Sequence, residues 1–457
     1  MQKVGPKAAP AARPRIALIS EHASPLAAPG GIDSGGQNVY VSHLARELSW
    51  LGYGIDVYTR RDAPGLPLVT EWRPGVRVIH VPAGPALWLP KEKLLPHMKA
   101  FGEFMQAFMQ HQGLDYQLAH ANFFMSGMVA LQLKLALGLP FLITFHALGR
   151  VRRLSQGDAD SFPDERFDIE ATLMQEAACV IAECEQDRQD MCGFYQARTD
   201  NIVVVPCGFD PEEFWPVRDS ARRLLGVSES EFVILQLGRM VPRKGIDNVL
   251  HALPLLRERH GLHARLLVVG GDVASADVAG WRGPAGSPEL QRLRDLAVAL
   301  GVSDQVDFTG GQPRSVLRQY YSAADVFVTT PWYEPFGITP LEAMACATPV
   351  VGSAVGGIRS TVIDGETGYL VPPKDPGALA DSIARLQRDP LLARRMGWNG
   401  LRRAHRHFTW RRVALQLASV YRSVTSTKRA LALPDVIESG AESSAKSSAD
   451  SVIGLVQ

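Results

Sequence analysis

The chain of 457 residues carries 48 Lys and Arg against 47 Asp and Glu, a formal net charge of +1, with 46% hydrophobic and 21% charged residues. That balance excludes a nucleic-acid binder that works through bulk charge, because phosphate affinity needs an excess of Lys and Arg. The apolar content excludes disorder of the whole chain, and at about 150 residues per domain the length holds two large domains or three small ones.

Residues 1–14 are mostly Ala, Pro, Lys and Arg without the apolar core of an export signal, so a disordered N-terminus and a cytoplasmic protein are expected. Five cysteines, Cys179, Cys184, Cys192, Cys207 and Cys346, form no Cys-x-x-Cys pair, so neither a disulfide framework nor a zinc site is encoded. Short β-rich runs then alternate with helical stretches. Strands are expected at 15–20, 55–59, 76–81, 116–120, 141–145, 179–183 and 202–206, and helices at 38–51, 93–112, 127–137, 166–177 and 185–195. The apolar stretch 125–145 is long enough to span a membrane, but Gln132 and Lys134 sit near its middle and Gly138 with Pro140 divides it, so a buried helix, a turn and a buried strand are expected.

The pattern restarts after residue 210. A helix at 219–225 precedes strands at 232–238, 264–271, 306–310, 325–330 and 348–353, each followed by a helical stretch. Continuous Val/Ile/Leu runs separated by amphipathic helices indicate parallel sheets covered on both faces. Residues 280–290 read as a surface loop before a helix at 288–300, and the Ser/Ala-rich residues 426–457 as a disordered tail.

Three places carry chemistry. Gly35 and Gly36 lie where the first helix opens, and a glycine turn at the carboxyl end of a parallel strand presents backbone N–H groups to an anion. The competing dinucleotide fingerprint fails, because Gly52-Tyr-Gly54 precedes a strand and Val57 stands where the third glycine belongs. GRMVPRKG (238–245) follows a strand but has Arg243 where a phosphate-cradling loop needs glycine; Arg239 and Lys244 remain, two cations able to face a diphosphate without a metal. After the strand 325–330, Glu334-Pro-Phe-Gly-Ile-Thr-Pro leads into a helix with Thr339 as expected N-cap and Pro340 at its first position. The amides of Gly337 and Ile338 point outward there, and Glu334 and Glu342, with seven residues between them, can bind hydroxyls at the two ends of one ligand.

Glu334 with Glu342, the Arg239/Lys244 pair, the Gly35-Gly36 turn and TPVVGSAVGGIRSTVIDGETGYLVPP (348–373) together resemble the retaining glycosyltransferases of family four, from about residue 15 to 425. The resemblance implies an α/β GT-B fold: two Rossmann-like doubly wound domains facing each other across a cleft, with an acceptor domain at 15–209, completed by a helix at 410–425, and a nucleotide-sugar domain at 210–409. It also implies donor contacts from Gly35, Gly36 and, through its backbone, Gln37; diphosphate neutralisation by Arg239 and Lys244; ribose hydroxyls on Glu342; and the transferred sugar on Glu334 with the backbone of Phe336, Gly337 and Ile338. His146, at the end of a strand, matches a histidine near the anomeric carbon. No obligatory cofactor or metal is implied, because the two cations supply what a metal supplies elsewhere, and the acceptor attacks on the face the diphosphate leaves.

The branch most resembled is that of sucrose-phosphate synthases and inositol-phosphate glycosyltransferases, through GGIDSGGQNVYV, VIHVPAGP and HALGR. The tyrosine and threonine that hold the acceptor phosphate in inositol-phosphate enzymes correspond to Phe123 and Ala147, which disfavours inositol phosphate. Lys91, Lys93, Arg150 and Arg166 are expected on the acceptor side, Arg150 matching an arginine that grips the sugar phosphate in sucrose-phosphate synthases; RVRR (150–153) could instead be a solvated loop. The implied activity is transfer of a glucosyl or other hexosyl group from a UDP-linked sugar to a hydroxyl acceptor, a sugar phosphate or a lipid-linked or polysaccharide acceptor. Peripheral membrane contact is compatible with this, and nucleic acid and a spanning segment are not expected. Two further alternatives are a non-catalytic nucleotide-sugar-binding regulator and a pyridoxal-phosphate phosphorylase of the same fold.

Overall fold

The computed structural model describes residues 13–27, 35–271 and 288–432, the side chains up to residue 426. Residues 1–12, most of the 280–290 loop and residues 433–457, where disorder or a loop was expected, lie outside the described residues.

The N-terminal half is an eight-stranded sheet: β1 (Arg15–Ile19), β2 (Gly54–Arg60), β3 (Val69–Arg73), β4 (Val76–Val81), β5 (Leu118–Asn122), β6 (Phe141–Thr144), β7 (Cys179–Ala182) and β8 (Ile202–Val204), in the order β3-β4-β2-β1-β5-β6-β7-β8. Every pairing is parallel except β3 with β4. The C-terminal half is a six-stranded, wholly parallel sheet of β9 (Phe232–Leu237), β10 (Ala264–Val269), β11 (Val306–Gly310), β12 (Val326–Thr329), β13 (Val350–Ser353) and β14 (Gly368–Val371), in the order β11-β10-β9-β12-β13-β14. Central strands are buried along their whole length, including polar residues of β2 and β5 such as Asp56, His120 and Asn122.

Two strands escaped the sequence reading. β3 is a half-exposed antiparallel edge strand whose register shifts between Glu71 and Arg73, so it has no apolar run. β14 is four residues beginning with Gly368 and forms one edge of the C-terminal sheet. The stretch 125–145 folds as expected, into the helix Phe124–Leu137, a left-handed Gly138 and β6, and among the described residues no helix is long and apolar enough to cross a membrane.

The two halves are joined twice. The chain crosses near Phe209 and returns at Phe408–Trp410; Phe209 N donates to Phe408 O at 2.8 Å and Trp410 N to Phe209 O at 3.2 Å. The final helix, Trp410–Ala432, is longer than expected and continues past residue 426. Its buried Trp410, Val413 and Leu417 share a core with Tyr40, Val41 and Leu44 of the helix Gly36–Trp50, which fastens it to the N-terminal half. Tyr421 reaches His120 of β5, whose Nδ1 lies 2.7 Å from the phenol oxygen.

Candidate functional site

In a doubly wound sheet the ligand crevice lies beyond the carboxyl ends of the strands, and the predicted residues collect there. Past β1, Gly35 is the N-cap of the helix Gly36–Trp50, and its N–H donates to Asn38 Oδ1 at 2.9 Å. The Gln37 side chain turns inward, donating to Ser20 Oγ at 3.1 Å and Asn122 O at 3.2 Å, which leaves its backbone for the cleft. A Cβ added to Gly35 would lie 3.8 Å from Arg239 Cζ, and one added to Gly36 3.8 Å from Ile338 Cδ1. The glycine turn of one domain therefore faces the predicted diphosphate and sugar residues of the other.

At the ends of β5 and β6 two non-glycine residues have positive φ, Phe123 at 85° and His146 at 57°. Backbone of this kind is held only where surrounding structure fixes it, and it concentrates at functional sites. His146 is held at both ring edges, Nδ1 3.0 Å from Glu183 Oε1 and Nε2 3.0 Å from Asn122 Oδ1, with Tyr40 edge-on at 4.8 Å. Glu183 is buried and also accepts the Cys207 thiol at 3.0 Å; burial and this carboxylate push the thiol well above its ordinary range.

The opposite wall comes from the second sheet. The turn Pro242–Lys244 ends at Gly245, with φ of 66° and a virtual Cβ 2.0 Å from Thr330 O; only glycine lets the loop lie on the end of β12. That packing brings Lys244 Nζ onto Glu334 Oε2, both side chains largely buried at 18% and 13% exposure. Burial alone would raise the Glu334 carboxyl, but Lys244, Arg243 and Arg239 outweigh it and hold it below its usual range. For Lys244, burial dominates and, with Arg243 and Arg239, pulls the ammonium down against the pull of Glu334. Gly356 fixes the other side of the loop, since a Cβ there would fall 1.8 Å from Glu334 O.

The helix after this loop begins two residues earlier than expected. Gly337, with φ of 87°, is the N-cap and Ile338 the first helical residue, so Thr339 and Pro340 lie inside the first turn. The Phe336 side chain is buried toward Phe408, leaving its backbone at the cleft. Glu342 is 2% exposed; its Oε1 accepts from Arg314 Nη1 and its Oε2 from Tyr321 OH, both at 2.8 Å.

The acceptor side departs further from expectation. RVRR is not a loop but part of the helix Gly149–Gln156. Arg150 lies exposed with its guanidinium over Phe167 and Tyr195, at 5.3 and 5.5 Å. Lys91 and Lys93 form a short 3-10 turn beside it, whose Glu92 lies 3.7 Å from Arg152. Arg166 is corrected from an acceptor contact to a core residue: its side chain is 0% exposed, ion-paired to Glu170 at 2.7 Å, and surrounded by Phe123, Phe124 and Phe162. A cavity of about 220 Å³ separates the domains here, lined by Leu148, Ser155, Asp187, Asp190, Tyr333 and Glu334 among others. Burial and the nearby Glu183 charge push the Asp187 carboxyl up to about 8, although it accepts the Glu183 N–H at 3.0 Å. Cys184 Sγ donates to Pro335 O at 3.3 Å, closing one end of the cleft.

Asn122 and Glu183, which hold His146, were missed, although both stand at the carboxyl end of a predicted strand, where functional side chains gather. Arg314 and Tyr321, which hold Glu342, have no local sequence signal. Among the described residues one trio could surround a metal ion, His43, Asp210 and Glu213, but both carboxylates are already ion-paired, to Arg46 at 2.7 Å and Arg314 at 2.6 Å.

Two family models match the chain: "Glycosyl transferase 4-like domain" over residues 35–208 and "Glycosyl transferases group 1" over 217–403. The chain belongs to the family-four glycosyltransferases. It is an enzyme of the GT-B fold. It is 35% identical over 420 residues to the D-inositol 3-phosphate glycosyltransferase of Corynebacterium efficiens, covering 91% of this chain and 96% of that protein. The homologue from Corynebacterium jeikeium is 37% identical over 412 residues, covering 89% and 96%. Among solved structures, the sucrose-phosphate synthase of Thermosynechococcus elongatus matches with a TM-score of 0.82 and 36% identity over 91% of this chain and 100% of that one. The Anabaena protein HepE, solved with UDP and glucose, shares the fold at a TM-score of 0.67 and 21% identity over 90% of this glycosyltransferase and 99% of HepE.

Proposed function

We propose that this glycosyltransferase moves a hexosyl group, glucosyl foremost, from a UDP-linked sugar to a hydroxyl of a sugar phosphate, with retention at the anomeric carbon. The observation that carries this reading is the Lys244–Glu334 pair, set beside Arg239 and opposite the Gly35–Gly36 turn. Breaking a glycosyl–diphosphate bond places negative charge on the leaving group and positive charge on the sugar. Arg239, Lys244 and the amides opening the helix Ile338–Ala345 would stabilise the first without need of a metal, and Glu334 lies where it would meet the second. The acceptor oxygen forms its bond to the anomeric carbon on the face the diphosphate leaves, and its proton passes to a diphosphate oxygen. His146, held by Glu183 and Asn122, would orient the sugar beside that carbon. Contacts across the cleft, such as Cys184 with Pro335, favour exclusion of water that would otherwise hydrolyse the donor.

Two relatives are named for a phosphorylated polyol or sugar, which supports a phosphorylated acceptor. Phe123 and Ala147, without hydroxyls, favour a hexose phosphate over inositol phosphate. A second reading, an acceptor presented at a lipid surface, is favoured by Leu87 and Trp88, 49% and 48% exposed just before Lys91 and Lys93 and fixed there by Arg60, whose guanidinium donates to Pro85 O at 2.6 Å. Pure enzyme incubated with UDP-, GDP- and ADP-glucose and with hexose phosphates, inositol phosphates and lipid-linked sugars decides between them. Nucleoside diphosphate release, with the product anomer assigned by NMR, is expected with UDP-glucose and a hexose phosphate. No turnover with any donor refutes the reading. Glu342→Ala should abolish turnover and Glu229→Ala should not, since Glu229 is 75% exposed and 3.9 Å from Arg222; equal losses would refute the site.

A further inference from the structure

The ribose carboxylate, Glu342, is wired to the hinge between the domains. Arg314 Nη1 donates to Glu342 Oε1 at 2.8 Å, while its Nε donates to Glu213 Oε2 at 2.6 Å. Glu213 lies on the crossing segment, three residues after Asp210. Its other oxygen is 4.0 Å from His43 Nε2, and His43 Nδ1 is 3.8 Å from Asp210, which Arg46 holds at 2.7 Å. The His43 ring stacks on Trp410, the residue at which the chain returns, with 5.3 Å between centroids and 4° between planes. One guanidinium therefore joins a carboxylate inside the nucleotide-sugar domain to the point where both crossings pair.

We propose that Arg314 is the positioning residue of Glu342, and that through Glu213 it transmits occupancy of that carboxylate to the hinge; the inference rests on the donor reading above. A vicinal diol needs two acceptor oxygens presented in a fixed plane. Arg314 and Tyr321 each hold one oxygen of Glu342 and leave each a lone pair for a ribose hydroxyl. The Arg314 fork is rigid and planar and lies over Phe214, 4.9 Å from the ring centroid, so displacement at Nη1 also moves Nε against Glu213. Its third nitrogen, Nη2, is buried without a hydrogen-bond partner. Burial would lower the guanidinium, but Glu342 and Glu213 outweigh it and keep it charged.

The full-length enzyme is titrated with UDP by calorimetry, and hydrogen exchange is followed at 208–214 and 408–411. Wild type should bind UDP and gain protection at both crossings. Arg314→Gln should bind UDP about tenfold more weakly, the scale of one lost charge-assisted bond, and raise the donor KM with kcat within about threefold. Arg314→Lys should fall between, restoring charge without the fork. Glu213→Gln should still bind UDP but lose the hinge protection. An Arg314→Gln variant that melts earlier yet binds UDP as wild type does would show a structural role only and overturn the positioning. Hinge protection unchanged in Glu213→Gln would overturn the coupling, and this variant carries the test if Arg314→Gln does not fold. Wild type that binds none of UDP, GDP and ADP would overturn the donor reading, and the inference with it; wild-type binding with an unaffected Arg314→Gln overturns the inference alone.

Discussion

Lys244→Ala isolates the electrostatics of the cleft. The substitution leaves Glu334, only 13% exposed, without its nearest countercharge. Removing one member of a buried ion pair costs about 3–5 kcal/mol, because the other is left charged and desolvated. Arg243 and Arg239 still act on Glu334, so the lower end, about 3 kcal/mol, is expected. For a unit of about 200 residues that lowers Tm by roughly 6–12 °C. The sign with pH follows from the same groups. In the wild type the Glu334 carboxyl is held below its unfolded value, so its contribution to stability is present above that value and is lost as pH falls through the folded one. Without Lys244 only Arg243 and Arg239 oppose burial, and the carboxyl rises from its wild-type position. The stability gap between wild type and variant should therefore be widest near pH 7.5 and shrink toward pH 4.

Thermal unfolding monitored by circular dichroism across that range reads the gap. Nucleoside diphosphate release reads the second consequence, a kcat lower by about 10²–10³, the size of one lost electrostatic stabiliser. Glu334→Gln in the Lys244→Ala background should restore part of the stability but none of the activity. A gap that is the same at pH 4 and pH 7.5 would refute the electrostatic account and leave only lost packing. Unchanged kcat would show that Lys244 serves Glu334 and not the leaving group.

Three further outcomes are expected. Asp187→Asn should flatten the fall in stability with rising pH: a carboxyl raised to about 8 contributes stability fully present below its unfolded value and lost as pH climbs through 8. Allowing for its partial exposure, the wild-type loss is about 2–4 kcal/mol, and parallel pH–stability curves for the two proteins would contradict it. Arg166→Met should destabilise by about 3–5 kcal/mol through the stranded Glu170, and Glu170→Gln should relieve it; a stable Arg166→Met with only a raised acceptor KM would return this residue to the acceptor site. Gly356→Ala should abolish activity even at temperatures where the variant is folded, because a Cβ 1.8 Å from Glu334 O must displace the loop; near-normal kcat would show that the loop position is not required.

The order of buried elements was legible where parallel strands covered on both faces are built of apolar residues, as in the FVILQL of β9 and the RLLVV of β10, while β2 and β5, buried at every residue, carry polar residues such as Asp56 and His120 that need buried partners. The same rule explains the misses. β3 gains its strand geometry from pairing with β4 at an exposed edge, where no periodicity is imposed, and the helix Gly149–Gln156 buries only Gly149, so RVRR looks like solvated loop. The helix start at Ile338 was misplaced because Gly337 takes a left-handed φ of 87°, a cap that needs no Ser or Thr side chain and so competes unseen with Thr339.

At the site, the legible residues are those whose role depends on a local turn. Lys244 and Glu334 follow shortly after β9 and β12, and Gly35 caps the helix that follows β1, so chain position alone points to the cleft. The residues that tune them do not. Arg314 lies 28 positions from Glu342, and Glu183 lies 37 from His146; the two contacts exist only because neighbouring strands and helices bring them to 2.8 and 3.0 Å. Arg166 shows the converse. Its basic side chain on the acceptor-side helix suggested a phosphate contact, yet Glu170 one turn on and three phenylalanines take up that guanidinium inside the core. Whether an arginine serves a ligand or a neighbour is decided by which carboxylate lies within reach once the chain is folded. For Arg314 the two are one system, since the carboxylate it reaches is the group proposed to hold the ribose.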